Sequence, residues 1–286
     1  MLAVIGTVPD ERLPVVDGNV SLKGANVLIK ENKIPISRGT AALLAAAIKA
    51  KDFFGKPQIY AFLAGDTGNG KGSKALYEFL TQRLKDTDFN TIVFHYIQPD
   101  VDLHNKVLFT IQEMKKRPKL IADAGFMYVA KMSGQATEYD LFTPDIGECA
   151  FLADEKAPHP FYTRGFIIHE ENKVPDLIER AYRCQNASKF LLVKGKKDYI
   201  ASSKGILSIV DTPECEAMEA IGGTGDTLTG IVSVLIRIGF EIDKAATIAA
   251  KVNRFAGYFA RPDPATQIAE IIEHIPKALL EVLKRK

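Results

Sequence analysis

Short apolar runs alternate along the chain with longer segments, most of which repeat apolar residues every three or four positions. The runs at 59–64, 91–97, 120–122 and 190–193 have the length of buried strands. The longer segments predict helices at 41–48, 73–84, 102–116, 126–132, 175–186, 243–259 and 265–283. Strands that alternate with helices in this way predict an α/β fold of three layers, with a mostly parallel central sheet and helices on both faces.

Two regions depart from this alternation. Residues 1–35 mix apolar pieces with glycine, asparagine and proline, which predicts edge strands and turns, with 27–29 as the clearest strand. Residues 199–201 and 206–210 predict a hairpin. Ser37 or Thr40 is expected to cap the helix at 41–48. Because no change of composition marks a linker, we interpret 1–286 as a single domain.

Composition narrows the class of protein. The chain has 286 residues, of which 47% are hydrophobic, and a formal net charge of +2 without a basic block, so no nucleic-acid partner is expected. Its three cysteines are far apart, which is typical of free thiols in a reducing cytoplasm. We see no signal peptide and no run of membrane-spanning length, and we therefore expect a cytoplasmic protein without a membrane partner.

One glycine-rich stretch contains the clearest candidates for catalytic and anion-binding residues. It reads Ile221-Gly222-Gly223-Thr224-Gly225-Asp226-Thr227-Leu228-Thr229-Gly230 and leads into an apolar segment of helical length. Glycines before a helix N-terminus form a ready anion site, because unpaired N–H groups meet the positive end of the helix dipole. A carboxylate within such a site can take a proton from a hydroxyl that attacks a phosphoryl group. The alternative is that Asp226 only caps the helix.

A second candidate follows the buried run at 190–193. Lys194, Gly195, Lys196, Lys197 and Asp198 place three cations at a strand end, where ligands bind in open α/β sheets. Glycine allows the backbone to approach a phosphate, and lysine supplies positive charge. The alternative is a solvated hairpin turn.

The stretch from Gly223 to Gly230 resembles the signature of the ribokinase-like superfamily, and in particular the branch that contains NAD(P)H-hydrate dehydratases and hydroxyethylthiazole kinases. The resemblance implies that Asp226 is the catalytic base and that Gly223, Thr224 and Gly225 form the anion hole. It also implies that the turn from Lys194 to Asp198 carries the adenylate of a bound nucleotide, because Leu192-Val193-Lys194-Gly195 is similar to the corresponding turn of the dehydratases.

Further motifs extend the resemblance towards the substrate. Thr143-Pro144-Asp145-Ile146-Gly147-Glu148 is similar to the dehydratase motif Thr-Pro-His-Pro-Gly-Glu, which implies that Glu148 helps to hold magnesium and that Asp145 faces the substrate. Ile121-Ala122-Asp123-Ala124 resembles the family's Asp-Ala-Asp stretch after a central strand, which implies that Asp123 binds the substrate. The family's Gly-Pro-Gly-Leu-Gly is missing, and Gln98-Pro99-Asp100 stands in that region. For Asp145 and Glu148 the alternative is a helix cap and an acidic first-turn residue.

The loop from Gly65 to Gly72 has two interpretations. Gly65-x-x-x-x-Gly70-Lys71 nearly matches a P-loop, but Gly72 stands where that motif needs serine or threonine. The resemblance instead places this loop at the substrate site, where Gly65, Asp66 and Asn69 would line it. The five histidines show no metal spacing and are interpreted as incidental, with His159 a weak site candidate.

The resemblance implies a nucleotide-dependent dehydratase that repairs hydrated NADH or NADPH with ADP or ATP and Mg²⁺. Its partners would be the small-molecule substrate and the adenine nucleotide, and a homo-oligomer is possible. The alternative is a kinase that phosphorylates a hydroxymethyl group on a thiazole, pyrimidine or sugar. A third hypothesis is a non-catalytic nucleotide sensor, which the presence of Asp226 disfavours.

Overall fold

The structure, a computed structural model, describes residues 1–154, 173–263 and 265–284. The strands of this part of the chain form one eleven-stranded sheet in the order β11-β10-β9-β8-β7-β6-β1-β5-β2-β3-β4. They are β1 (Leu2–Val8), β2 (Val16–Lys23), β3 (Asn26–Ile29), β4 (Asn32–Pro35), β5 (Ile59–Gly65), β6 (Thr91–His95), β7 (Lys119–Ala122), β8 (Leu141–Phe142), β9 (Phe190–Val193), β10 (Asp198–Ser202) and β11 (Gly205–Val210).

The centre of the sheet is parallel and its two margins are antiparallel. From β9 through β8, β7, β6 and β1 to β5 every pairing is parallel. The hairpin of β10 and β11 continues one side in antiparallel pairing, as predicted, and β2, β3 and β4 continue the other. The predicted α/β fold with a mostly parallel central sheet is confirmed.

The helices cover both faces of the sheet. They are α1 (Thr40–Phe54), α2 (Lys71–Arg83), α3 (Val101–Gln112), α4 (Gly125–Met132), α5 (Ile146–Ala153), α6 (Val174–Arg183), α7 (Ala217–Ala220), α8 (Thr224–Arg237), α9 (Ile242–Ala260), α10 (Ile268–Ile272) and α11 (Ile275–Lys284). One core packs α1 and α8 to α11 against one face, and a second core packs α2 to α6 against the other. Because side chains alternate along a strand, Leu2 and Val4 enter the first core while Ala3 and Ile5 enter the second.

The expectation of edge strands throughout residues 1–35 is wrong for β1. All seven of its residues are buried, and it lies in the middle of the sheet between β5 and β6. Only β2, β3 and β4 lie at the margin. Gly6 permits the close packing around β1, since a Cβ there would lie 2.5 Å from the His95 carbonyl and 2.7 Å from the Thr40 hydroxyl.

Two helix predictions also need correction. Neither Ser37 nor Thr40 caps α1, because Gly39 occupies the N-cap position and the Thr40 hydroxyl donates to the Thr7 carbonyl at 2.7 Å. The helix expected at 265–283 is two helices, α10 and α11. The single-domain organisation stays a prediction. Among the described residues, none of the helices combines the length and the hydropathy that crossing a bilayer requires.

Candidate active site

Four charged or titratable side chains meet where the parallel strands end. His95 is the last residue of β6, Asp123 follows β7, Lys194 follows β9, and Asp226 lies in the first turn of α8. In open α/β sheets, this carboxyl end of the strands is where ligands bind. Two residues here, Tyr96 and Ala124, have φ angles of 53° and 51°. Such angles are unfavourable for side-chain-bearing residues and occur most often at functional sites.

The carboxylate of Asp226 is held from two sides. Its Oδ2 accepts the Gly39 N–H at 2.6 Å, and its Oδ1 lies 3.0 Å from His95 Nε2. Asp226 makes no cap bond in α8, whose N-cap residue is Gly223, so the interpretation of Asp226 as a helix cap is wrong. Burial alone would raise the pKa of Asp226, but the hydrogen bond and charge of His95, together with Lys194 and the Gly39 amide, hold that pKa below its ordinary value.

The turn before Asp226 has the form of an anion site. Gly223 adopts a φ of 105°, and a Cβ there would lie 2.9 Å from Ile268, so both the backbone angle and the space require glycine. In the described residues the N–H groups of Thr224, Gly225 and Asp226 have no acceptor. The predicted anion hole of Gly223, Thr224 and Gly225 is therefore geometrically available, although its contact with nucleotide stays a prediction.

Lys194 lies against this turn and serves as the counter-ion of Asp123. Its Nζ donates to both Asp123 oxygens, at 2.9 Å and 3.0 Å, and Thr229 Oγ1 donates to Asp123 Oδ2 at 2.6 Å. A Cβ on Gly225 would lie 3.4 Å from the same Nζ, so the ammonium also borders the anion turn. Burial opposes the charge, but Asp123 and Glu148 raise the pKa of Lys194 above its ordinary value.

The rest of the predicted nucleotide turn is organised by an arginine that the sequence did not single out. Arg254, from α9, donates to Asp198 Oδ2 at 2.7 Å and to the carbonyls of Gly195 and Lys196 at 3.0 Å and 2.8 Å. Lys196 and Lys197 are exposed. A small cavity of about 110 Å³ borders this turn and the segment at 213–219. Adenylate binding by residues 194–198 stays a prediction.

Asp145 and Glu148 form a capping box at the start of α5. Asp145 Oδ1 accepts the Glu148 N–H at 2.7 Å, and Glu148 Oε2 accepts the Asp145 N–H at 2.8 Å. The Tyr128 hydroxyl donates to the other Glu148 oxygen at 3.1 Å. Burial and the negative charge of Asp145 raise the pKa of Glu148 to about 8. The helix-cap alternative is thus correct as local geometry, and the substrate and magnesium roles stay predictions.

The Gly65–Gly72 loop is stabilised from within. The Asp66 carboxylate accepts the N–H groups of Gly68, Gly70 and Ser73 and the Ser73 hydroxyl, at 2.8–3.1 Å. Asn69 donates to Glu11 and accepts from Lys71. The serine or threonine that a P-loop needs does not fit at position 72, because a Cβ there would lie 2.0 Å from the Gly65 carbonyl, and the amides of Gly68 and Gly70 are bonded to Asp66. Contact of Gly65, Asp66 and Asn69 with a substrate stays a prediction.

His95 is a functional candidate that the sequence did not indicate, since the histidines show no metal spacing. Its side chain is fully buried, and its Nε2 also lies 3.8 Å from Asp123 Oδ2. The available signal was its place at the end of a buried strand, the same signal that drew attention to Lys194. His95, Asp123 and Asp226 offer ligand atoms within 4.8 Å of one another, but a metal ion there would compete with Lys194 for Asp123. His159 lies outside the described residues.

Comparisons with known proteins give the family of this chain. A family model described as NAD(P)H-hydrate dehydratase (Carb_kinase) matches residues 101–277. An uncharacterized protein of Methanocaldococcus jannaschii is 43% identical over 243 residues, which is 85% of this chain and 100% of that protein. A bifunctional NAD(P)H-hydrate repair enzyme of Hyperthermus butylicus is 38% identical over 106 residues, which is 36% of this chain but only 19% of that enzyme.

A solved structure supports the fold over the whole chain. The ADP/ATP-dependent NAD(P)H-hydrate dehydratase of Bacillus subtilis, co-crystallized with ATP/Mg²⁺, superposes with a TM-score of 0.56 at 16% identity, covering 99% of this chain and 89% of that one. The ribokinase-like fold that the resemblance implied is confirmed. Since the family model matches more than half of the sequence, the chain belongs to the NAD(P)H-hydrate dehydratase family.

Proposed function

We propose that this protein repairs hydrated NADH or NADPH in a reaction driven by ADP or ATP. The observation that carries the proposal is the placement of Asp226, whose ionised carboxylate lies in the same helical turn as the unpaired amides of Thr224 and Gly225. A base and an anion hole in one turn can serve both partners of a phosphoryl transfer, the hydroxyl that attacks and the phosphoryl group that is attacked.

The reaction has two steps. In the first, Asp226 takes the proton of the hydrate hydroxyl, and the hydroxyl oxygen forms a bond to the terminal phosphorus of the nucleotide. The bond between that phosphorus and the rest of the nucleotide breaks at the same time, which releases ADP from ATP or AMP from ADP. In the second, the C–O bond of the substrate breaks with its electron pair leaving on phosphate, and the neighbouring carbon loses a proton to form the double bond. Phosphorylation thus converts a poor leaving group into a good one.

Magnesium fits the acidic pair at the start of α5. Burial and, after it, the neighbouring charge of Asp145 raise the pKa of Glu148, so a carboxylate charge is costly in that place. A divalent cation with oxygen ligands and water would remove this cost. We infer that Glu148, directly or through water, holds the ion that accompanies the nucleotide phosphates, where the ion would neutralise the charge that develops during transfer.

The substrate would enter from the side of Gly39. A cavity of about 580 Å³ is lined by Arg38, the residue before Gly39, and its lining also includes Val8, Arg12 and Lys33. A hydrated dinucleotide carries a pyrophosphate, which guanidinium groups bind well because their planar donors match phosphate oxygens. Possible assembly into a homo-oligomer stays a prediction.

The decisive experiment is a repair assay on hydrated NADH with magnesium and either ADP or ATP. We expect the NADH absorbance to return together with release of one phosphate per molecule repaired. Phosphorylation of a thiazole, pyrimidine or sugar alcohol, with no loss of hydrate, would instead establish the kinase alternative. If the protein binds nucleotide but catalyses neither reaction, the result would support the hypothesis of a non-catalytic nucleotide sensor.

The variant Asp226→Asn tests the assigned base. It should lose about 10²- to 10⁴-fold in turnover, because asparagine cannot accept the substrate proton. It should also unfold more easily, since the amide offers one acceptor where the carboxylate satisfies two donors, Gly39 and His95. Asp243→Asn, in the first turn of α9, is the matched control and should keep full activity. A folded Asp226→Asn protein with near-normal turnover would remove the base from the mechanism.

A further inference from the structure

The hydrogen bonds of Thr40 determine which ring nitrogen of His95 carries a proton. The Thr40 hydroxyl has a single proton, and its short bond to the Thr7 carbonyl, at 2.7 Å, uses that proton. The same oxygen lies 3.0 Å from His95 Nδ1. Since Thr40 can only accept in this second bond, Nδ1 is the donor and carries a proton.

The other ring nitrogen faces the catalytic carboxylate. His95 Nε2 lies 3.0 Å from Asp226 Oδ1, both groups are buried, and a lone pair on each would repel. One proton must therefore lie between them. With Asp226 ionised, as a general base requires, that proton belongs to Nε2 and His95 is an imidazolium with both nitrogens protonated.

Two further groups border this pair. Asp123 is buried, with its Oδ2 3.8 Å from His95 Nε2, and Lys194 is the cation that both oxygens of Asp123 bind. Since Lys194 compensates the charge of Asp123, an ionised Asp226 is compensated by the imidazolium of His95 at 3.0 Å, which avoids the cost of an unpaired buried carboxylate.

We propose that His95 is a positioning residue that keeps Asp226 ionised and holds its carboxylate in place. The inference rests on the proposed role of Asp226 as base. The Nε2–H of His95 takes one lone pair of Oδ1, and the Gly39 amide takes one lone pair of Oδ2, so the carboxylate is held at both oxygens and still has free lone pairs to receive the hydroxyl proton. Thr40 anchors the ring from behind, and the Tyr96 ring closes one side, with ring centroids 4.5 Å apart.

Kinetics of His95→Gln separate this role from a purely structural one. Glutamine keeps a donor for Asp226 but no charge, so kcat should fall about 10- to 100-fold near neutral pH while the KM for nucleotide stays within about twofold. The acidic limb of the pH–rate profile should move upward by about one to three pH units, because the cation that favours the ionised carboxylate is gone. If the acidic limb of the His95→Gln profile stays at the same pH as that of the unaltered protein, the proposal is wrong.

Three further variants distinguish this role from a general loss of folding. His104→Gln is the matched control, because His104 is equally buried but bonds to Tyr139, away from Asp226, and it should leave the limb in place. Thr40→Val removes the acceptor of Nδ1–H, so it should move the limb in the same direction as His95→Gln. Thr40→Ser, which keeps the hydroxyl, should behave like the unaltered protein.

The protonation state of His95 can also be measured without substrate, by NMR. In protein labelled with ¹⁵N-histidine, with the signals assigned from His95→Gln and His104→Gln, we expect both nitrogens of His95 to be protonated at neutral pH, and one of them to lose its proton in Asp226→Asn. A neutral His95 in the unaltered protein would refute the pairing even if hydrate repair is observed. A charged His95 in a protein without repair activity would refute the proposed function but not the pairing.

Discussion

At the scale of single residues, Lys194 is a structural cation as well as a candidate nucleotide ligand. Its side chain is 13% exposed and that of Asp123 is 2% exposed, so neither charge has water to replace its partner. We expect Lys194→Met to lower the free energy of unfolding by about 3–5 kcal/mol, because Asp123 is left buried and unpaired. Denaturant unfolding measures this loss.

The double variant Lys194→Met with Asp123→Asn provides the test of that explanation. Removing the second charge together with the first should restore most of the lost stability, since no uncompensated ion remains. If the two single losses simply add, the pair is not coupled, and the loss of stability in Lys194→Met has a cause other than an unpaired Asp123.

Arg38 is the second residue with a specific expectation. It is exposed in the cavity beside Gly39, it packs over Gly222, and within the described part of the chain its guanidinium has no ion-pair partner. Arg38→Ala should raise the KM for the hydrated dinucleotide about tenfold, the equivalent of one charge-assisted hydrogen bond, with little change in the KM for nucleotide.

A neighbouring arginine supplies the control for this measurement. Arg12 lines the same cavity, but its guanidinium bonds to Asp10 at 3.2 Å. We expect Arg12→Ala to change the KM for substrate less than Arg38→Ala does. Equal effects would mean that the cavity attracts the substrate by its net charge rather than by a contact with Arg38.

At the scale of elements, the loop between β5 and α2 depends on one ionised carboxylate. Burial opposes ionisation of Asp66, but its bonds from Ser73, Gly68 and Gly70 hold its pKa below the ordinary value. A lowered pKa means that this stabilisation is complete above the ordinary aspartate range, near pH 4, and is lost as the pH falls through the folded-state pKa. Asp66→Asn should therefore be less stable than the unaltered protein at pH 7, with the difference narrowing towards pH 2 in urea unfolding.

If the difference in unfolding free energy between Asp66→Asn and the unaltered protein stays constant from pH 7 to pH 2, the ionic explanation is wrong. The loss of stability would then come from the geometry of the loop alone. Asp263→Asn is a suitable control, because Asp263 makes similar bonds to Ala265 and Thr266 in an exposed turn. Its effect on stability should be small at every pH.

Elements also show how far the sequence predicts the site. The anion turn and Asp226 were predicted because glycines, acid and helix start all lie within a few consecutive residues. His95, Gly39 and Arg254 were missed because each contributes through its place in the fold, more than fifty residues from the partner it binds. The sequence predicts edge strands throughout residues 1–35 because β2 to β4 contain glycine and asparagine. The apolar run of β1 stands next to these segments and so receives the same prediction.

At the scale of the whole molecule, nucleotide should stabilise the fold. The turns at Lys194 and Gly223 belong to different parts of the chain and meet only in the folded protein, so nucleotide that binds both is bound by the native state alone. At a hundredfold excess over the dissociation constant, ADP or ATP with magnesium should add about 2.7 kcal/mol to the free energy of unfolding. Thermal unfolding would detect this as a higher Tm.

The same measurement on Asp226→Asn should show an equal or larger ligand shift, because a negative charge near the phosphates has been removed. Absence of a shift with either nucleotide would contradict the assignment of both turns. The family match begins at residue 101, so it includes Lys194 and Asp226 but not Arg38, Gly39, Thr40 or His95.

The central position of β1 has a consequence for biosynthesis. This strand leaves the ribosome before both of its neighbours, since β5 begins at Ile59 and β6 at Thr91. Until those segments have been made, an apolar strand with two unpaired edges is present in the nascent chain, and such a strand readily associates with other chains. Translation pauses placed between β1 and β6 should therefore lower the yield of soluble protein, whereas pauses after β6 should not.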